Sequence, residues 1–387
     1  MITTFRVQNY KALRDVSLKL SPIQVVIGPN DSGKTSVLEA LGAFCRSVDS
    51  ELVAAFRGHW EGRDLVWCRC DEAITFTAHF KDDVAYQLGC EFNPTGRDIS
   101  VASEATGIKG KTNGLPRGER GLSCIASTLL RGKPLFERHA PELVAIHSIR
   151  VDCSGVHVFR WVPGMLSLPS ALDPSRTFRM DESGFGLATC LDDIIGHDID
   201  LFRKLETRLI SLFPDILAMR LKTVSGFSST GEAQAAASLK PAAAKGIFFD
   251  TRAVNDLPAS KMSDGVLLVL AYLTLLHLPN PPRLLLIEEP ENGIHPQRLQ
   301  DVIAILKELV AQQSHTQIVM TTHSPYLLDM FSPSEVSLCR KETDGSVTVH
   351  SLSESELVRK QLDVFTLGEI WTAEGDDALI GKAEVVP

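Results

Sequence analysis

Apolar and polar residues alternate through MITTFRVQNY (1–10) and VSLKL (16–20), a period of two that predicts strands. QVVIG (24–28) is apolar without alternation, as in a strand covered on both faces. In KTSVLEALGAFCRSV (34–48) the period lengthens, placing Val37, Leu38, Leu41 and Phe44 or Cys45 on one face of a helix. AITFTAHF (73–80) and YQLGCEF (86–92) alternate again and predict an antiparallel pair. IHSIRVD (146–152) reads as a strand, 186–213 as helical, and the Ala-, Ser- and Gly-rich 228–246 as a loop. GIFFD (246–250), RLLLIEE (283–289) and QIVMTTHS (317–324) read as strands. Between them lie a buried helix (263–278) and an amphipathic one (297–313) carrying Leu299, Val302, Leu306 and Leu309. Residues 336–352 predict a hairpin turning at Asp344-Gly345. Buried strands alternating with helices indicate an α/β fold.

Composition changes this picture little. The chain of 387 residues is 44% hydrophobic and 22% charged, with a formal charge of −9. Such a balance gives no general attraction to nucleic acid or to anionic membranes. One stretch, 107–133, runs the other way, with Lys109, Lys111, Arg117, Arg120, Arg131 and Lys133 against Glu119. It can track phosphates, although it has no aromatic residues on which bases stack, and a solvated loop is the plainer reading. The eight cysteines are scattered, and Cys68-x-Cys70 without a second pair is a poor zinc framework. Reduced thiols, no signal peptide and no span-length apolar segment lead to the expectation of a cytoplasmic protein without membrane attachment.

GPNDSGKTS (28–36) satisfies G-x-x-x-x-G-K-[ST] through Gly28, Gly33, Lys34 and Thr35. An apolar strand enters it and a helix leaves it. Its backbone N–H groups, from Asn30, Asp31, Ser32 and Gly33 to Ser36, are candidates to cradle phosphates. Lys34 would reach the β- and γ-phosphates and Thr35 would ligate Mg²⁺. Glu288 and Glu289, adjacent anions after a buried run, need a positive partner, and Mg²⁺ on ATP supplies one. Glu288 then holds the metal and Glu289 takes the proton of the attacking water. His323, after a second buried strand, can donate to the γ-phosphate. Ser263 and Gly265, opening a buried helix, can form another anion-binding terminus. Taken singly, each of these last two features is more often structural.

In this order, FRVQNYKAL, VVIGPNDSGKTSVLEAL, SDG, LLLIEEPENGIHP and MTTHSPYLL resemble the ABC-type ATPases of the SMC/RecF branch. The resemblance is closest to the ATPase part of OLD-family (AAA-type ATP-binding) bacterial proteins. It covers residues 1–45 and about 258–330. It implies an ABC-ATPase head with a mainly parallel P-loop sheet, an antiparallel β subdomain and an inserted, partly helical region. The expected division is 1–95, 96–245 and 246–387. It also implies that Met262-Ser263-Asp264-Gly265 is the signature, contacting the γ-phosphate of ATP on a second subunit. Glu288 stands at the metal-binding acid, Glu289 at the catalytic glutamate and His323 at the switch histidine. Pro290 to His295 matches the loop crossing the dimer interface, Asn30 the P-loop asparagine and Lys11 the basic residue after the first strand. Asp264 replaces the glycine of transporters, His295 replaces an aspartate of many relatives, and no Q-loop glutamine is assigned.

OLD nucleases carry a metal-dependent Toprim domain after the ATPase. AEGDDALIG (373–381) superficially resembles the start of one but is expected to be an acidic tail, so this chain is not expected to cut DNA by itself. The resemblance implies an ATP-dependent homodimer or higher oligomer, acting as sensor or regulator of a separate effector such as a nuclease or toxin in anti-phage defence. The alternative is a RecF-like clamp in DNA repair, binding DNA through 107–133. A transporter subunit is disfavoured by the missing LSGGQ and the long insertion. A scaffold without turnover is disfavoured by Lys34, Glu289 and His323.

Overall fold

The computed structural model describes residues 1–56, 62–93, 96, 98–108, 110–116, 118, 121–131, 141–172, 177–228 and 240–380. In chain order, β1 (Ile2–Tyr10), β2 (Leu13–Lys19) and β3 (Ile23–Ile27) precede α1 (Lys34–Arg46). Then come β4 (Ile74–Phe80), β5 (Val84–Phe92), β6 (Ile99–Ile108), β7 (Lys111–Gly114), α2 (Cys124–Arg131), α3 (Pro141–Cys153) and β8 (Val156–Phe159). The middle of the chain forms α4 (Leu187–His197), α5 (Ile199–Leu212), β9 (Ile216–Ser228), β10 (Lys240–Thr251) and α6 (Asp264–Leu276). The remainder gives β11 (Leu284–Glu288), α7 (Pro296–Gln312), β12 (Gln317–Thr321), β13 (Val336–Lys341), β14 (Val347–Ser351) and α8 (Leu367–Leu379).

Two compact units result. The first comprises Met1–His157, Pro282–Glu288 and His315–Pro387; the second comprises Val158–Pro281 and Glu289–Ser314. The first unit holds two sheets. An antiparallel one has the order β2-β1-β4-β5-β6-β7, and a mainly parallel one the order β14-β13-β3-β12-β11-β8. Helix α1 lies between them. On one side Phe44 meets Phe5, Phe76 and Tyr86, with ring centroids 5.6, 6.0 and 5.6 Å apart. On the other, Gly42 faces Leu286 of β11. Such aromatic pairs add to the burial that fixes the helix. Buried Gln317 ties the sheets together: its Nε2 donates to the carbonyls of Ile2 and Ser21, and its Oε1 accepts from Ile2 N–H. Burying an amide is tolerable only when it is bonded in this way.

The second unit packs α4, α5, α6 and α7 with the long antiparallel hairpin β9–β10. Helix α6 is buried from Val266 to Leu276, which explains its unbroken apolar sequence.

Three stretches differ from their sequence reading. Residues 146–152 are helical in α3, where buried Ala145, Ile149 and Cys153 recur every four residues, and the β-branched residues between them mimic a strand. Residues 240–245 belong to β10, paired with 223–228, because cross-strand bonding outweighs an Ala-rich composition. In the basic stretch, Lys111 lies on β7 and Arg131 at the end of α2, while Lys109, Arg117, Arg120 and Lys133 lie outside the described residues, as do 229–239. Residues 373–379, read as an acidic tail, complete α8, which breaks at Gly375. The sequence border at 95/96 falls between β5 and β6 of one sheet, and that at 245/246 falls inside β10. Among the described residues, no helix is long and apolar enough to cross a membrane.

Candidate functional site

Strand β3 is buried at every position and pairs in parallel with β12 on one side and β13 on the other. It ends at Ile27, where the P-loop begins. Gly28 and Gly33 take φ of 143° and 93°, backbone that a side chain rarely adopts. Packing excludes a side chain there as well. A Cβ at Gly28 would lie 2.2 Å from the Cys339 carbonyl oxygen, and one at Gly33 2.6 Å from Val347 Cγ2. The loop is therefore held tightly against β13 and β14.

The loop delivers Lys34 to the head of α1. Lys34 is buried, and its Nζ donates to the Gly28 and Pro29 carbonyls at 2.9 and 2.8 Å. The ammonium thus lies along the loop whose amides precede it. Gly33 caps α1 without a side-chain bond, and no acidic residue occupies the first turn. The amide ends of that turn keep their partial positive charge for an anion. Ser32 Oγ is buried in the loop without a hydrogen-bond partner, while Asn30 and Thr35 are exposed and Ser36 half-buried. Asp31, in left-handed backbone, is paired with Lys341 of β13 at 2.5 Å. Its side chain is therefore engaged away from α1.

Parallel pairing sets the other residues. Val26 of β3 is level with Thr321 of β12, and Thr321 is level with Glu288 of β11. Two strand steps place the Glu288 backbone about 10 Å from that of Val26, at the same carboxyl edge of the sheet as the P-loop. Such an edge is where open α/β sheets take ligands. His323, half-buried, follows the same edge: Thr322 N–H donates to the Val26 carbonyl at 3.1 Å, and Thr322 Oγ1 accepts from Ser324 N–H at 2.9 Å. Lys34, Glu288 and His323 are thereby brought to one edge of the first unit. Lys11 is paired with Glu39 of α1 in a largely buried ion pair.

These residues fit a magnesium nucleotide. A glycine-shaped loop, a lysine and an acid-free helix start suit phosphates, and the exposed Thr35 hydroxyl and the Glu288 carboxylate are hard oxygen donors suited to Mg²⁺.

In the second unit, Glu289 takes φ of 46°. Pro290 disfavours the right-handed helical region for the residue before it, and the left-handed one costs about 1–2 kcal/mol in a non-glycine residue. The turn is closed by Asn292 N–H donating to the Glu289 carbonyl at 3.0 Å. Asn292 Nδ2 also donates to Glu289 Oε2 at 2.6 Å. Sequence reading missed Asn292, although an amide three residues after the second acid was visible. At the head of α6, Ser263 is the N-cap residue; it is exposed, and its side chain makes no capping bond. Gly265 follows in the first turn. Gly293, beyond the Glu289 turn, lies against Leu268 of the same helix.

Two family models match the chain. One described as AAA domain, putative AbiEii toxin, Type IV TA system covers residues 160–329, and one described as AAA ATPase domain covers 1–107. An OLD nuclease of Thermus scotoductus is 23% identical over 366 residues, 92% of this chain and 65% of that protein. The chain is thus similar to an OLD nuclease over most of its own length, and it spans 65% of the length of that curated relative. A solved Smc head bound to the C-winged helix domain of ScpA superposes with a TM-score of 0.52 at 15% identity, covering 93% of this chain and 99% of that chain. The fold is that of an SMC-like ATPase head, as the sequence resemblance implied.

Proposed function

We propose that this protein is a Mg²⁺-dependent ATPase whose nucleotide joins two copies of the chain. The reading rests on one observation: β3, β12 and β11 present the P-loop, His323 and Glu288 at one carboxyl edge. Lys34 and the amides of 30–36 hold the phosphates, Asn30 among them. Thr35 and Glu288 hold the magnesium ion, which when bound neutralises charge on the phosphate oxygens. Glu289 accepts the proton of the attacking water, and His323 donates to the γ-phosphate. Ser263 and Gly265 of a second copy meet the same phosphate from across. ATP thus bridges two chains, and hydrolysis removes the bridge.

In this reading the switch regulates a separate effector, a nuclease or toxin, in bacterial anti-phage defence. The family model described by an AbiEii toxin and the OLD relationship support a defence role, and the Smc head's bound winged-helix domain supports a partner-binding head. The test of the chemistry is Glu289→Gln. It should bind ATP as wild type does and lose about 100-fold or more in phosphate release, the scale of removing a catalytic base. Wild-type turnover in that variant would refute the assignment.

A further inference from the structure

The acid pair ends differently at its two members. Glu288 closes a regular strand, whereas Glu289 sits in left-handed backbone at a turn that Asn292 closes twice. Its main-chain N–H bonds the Glu289 carbonyl at 3.0 Å, and its side-chain amide bonds the Glu289 carboxylate at 2.6 Å. A carboxylate only accepts, so the amide must present its NH₂ end, and chemistry fixes its orientation. Asn292 is exposed, so burial does not account for an amide here. An N–H aimed at one carboxylate oxygen restricts rotation of the group.

We propose that Asn292 is a positioning residue for hydrolysis: it holds the Glu289 carboxylate in one orientation for accepting the proton of the attacking water. This rests on the reading of Glu289 as the base. Asn292 touches neither phosphate nor metal in this account and acts only through Glu289. Two consequences follow. Loss of the amide affects turnover rather than ATP affinity. Once Glu289 has been replaced, Asn292 has nothing left to position.

The experiment is a double-mutant cycle of Asn292→Ala and Glu289→Gln in the full chain. Single-turnover hydrolysis and binding of a fluorescent ATP analogue are measured for all four proteins. Asn292→Ala should lower turnover about tenfold with nucleotide affinity unchanged, and cost nothing further in the Glu289→Gln background. Asn292→Asp keeps the size of the side chain and the turn but replaces the donor with a second carboxylate. It should lose at least as much turnover and give the same thermal unfolding midpoint as wild type.

Equal losses from Asn292→Ala in both backgrounds, or a loss of nucleotide affinity as large as the loss of turnover, would overturn the positioning role while leaving Glu289 as base. Wild-type turnover in Glu289→Gln alone would instead overturn the underlying assignment.

Discussion

A single methyl group measures how tightly the P-loop is built. On Gly33 it would meet Val347 Cγ2 at 2.6 Å, in backbone that already disfavours a side chain. Gly33→Ala is therefore expected to displace the loop and lower ATP affinity at least tenfold, read by titration with a fluorescent analogue; unchanged affinity would show that the loop does not shape the site. At this scale the sequence was most legible. Gly28, Gly33, Lys34 and Thr35 match the phosphate-loop pattern through spacing alone, because close backbone approach leaves few residue choices. Glu288 and Glu289 drew attention because two anions follow a buried run. Asn292 did not, because an amide in a polar turn has many ordinary uses and its bond to Glu289 depends on the left-handed turn before Pro290. Nor could the sequence show that Lys11 is engaged by Glu39, since that pairing joins the end of β1 to α1.

Elements were legible where burial imposed one clean period. The strands β3, β11 and β12 and the helices α1 and α6 carry apolar runs or stripes that admit one interpretation. The misread stretches lack this property. In α3 the helical repeat of Ala145, Ile149 and Cys153 is overlaid by β-branched neighbours, and β10 gains strand structure from a partner on the far side of a hairpin. Helix α6 also carries a functional expectation. Its N-cap residue Ser263 is exposed and makes no side-chain capping bond, and Gly293 of the Glu289 turn rests on Leu268 in the same helix. The Glu289 turn and α6 are thus packed within one unit. Ser263→Ala should spare nucleotide binding by the monomer and weaken ATP-dependent dimerisation about tenfold, measured by light scattering across protein concentrations with and without ATP. Equal dimerisation would remove Ser263 from the composite site.

The whole molecule divides into two units, and the division runs through the acid pair: Glu288 ends a strand of the first, and Glu289 opens the turn of the second. The net charge of −9 adds no attraction for a nucleotide's polyphosphate. Local positive groups, Lys34 and the amides of α1, must provide it together with the metal. That convergence is the central claim, and a crystal structure with Mn²⁺ and a non-hydrolysable ATP analogue tests it most directly. Anomalous scattering should locate Mn²⁺ between the Thr35 hydroxyl and the Glu288 carboxylate, with Lys34 on the terminal phosphates. A metal bound elsewhere, or an analogue lying away from the β3–β12–β11 edge, would contradict the account.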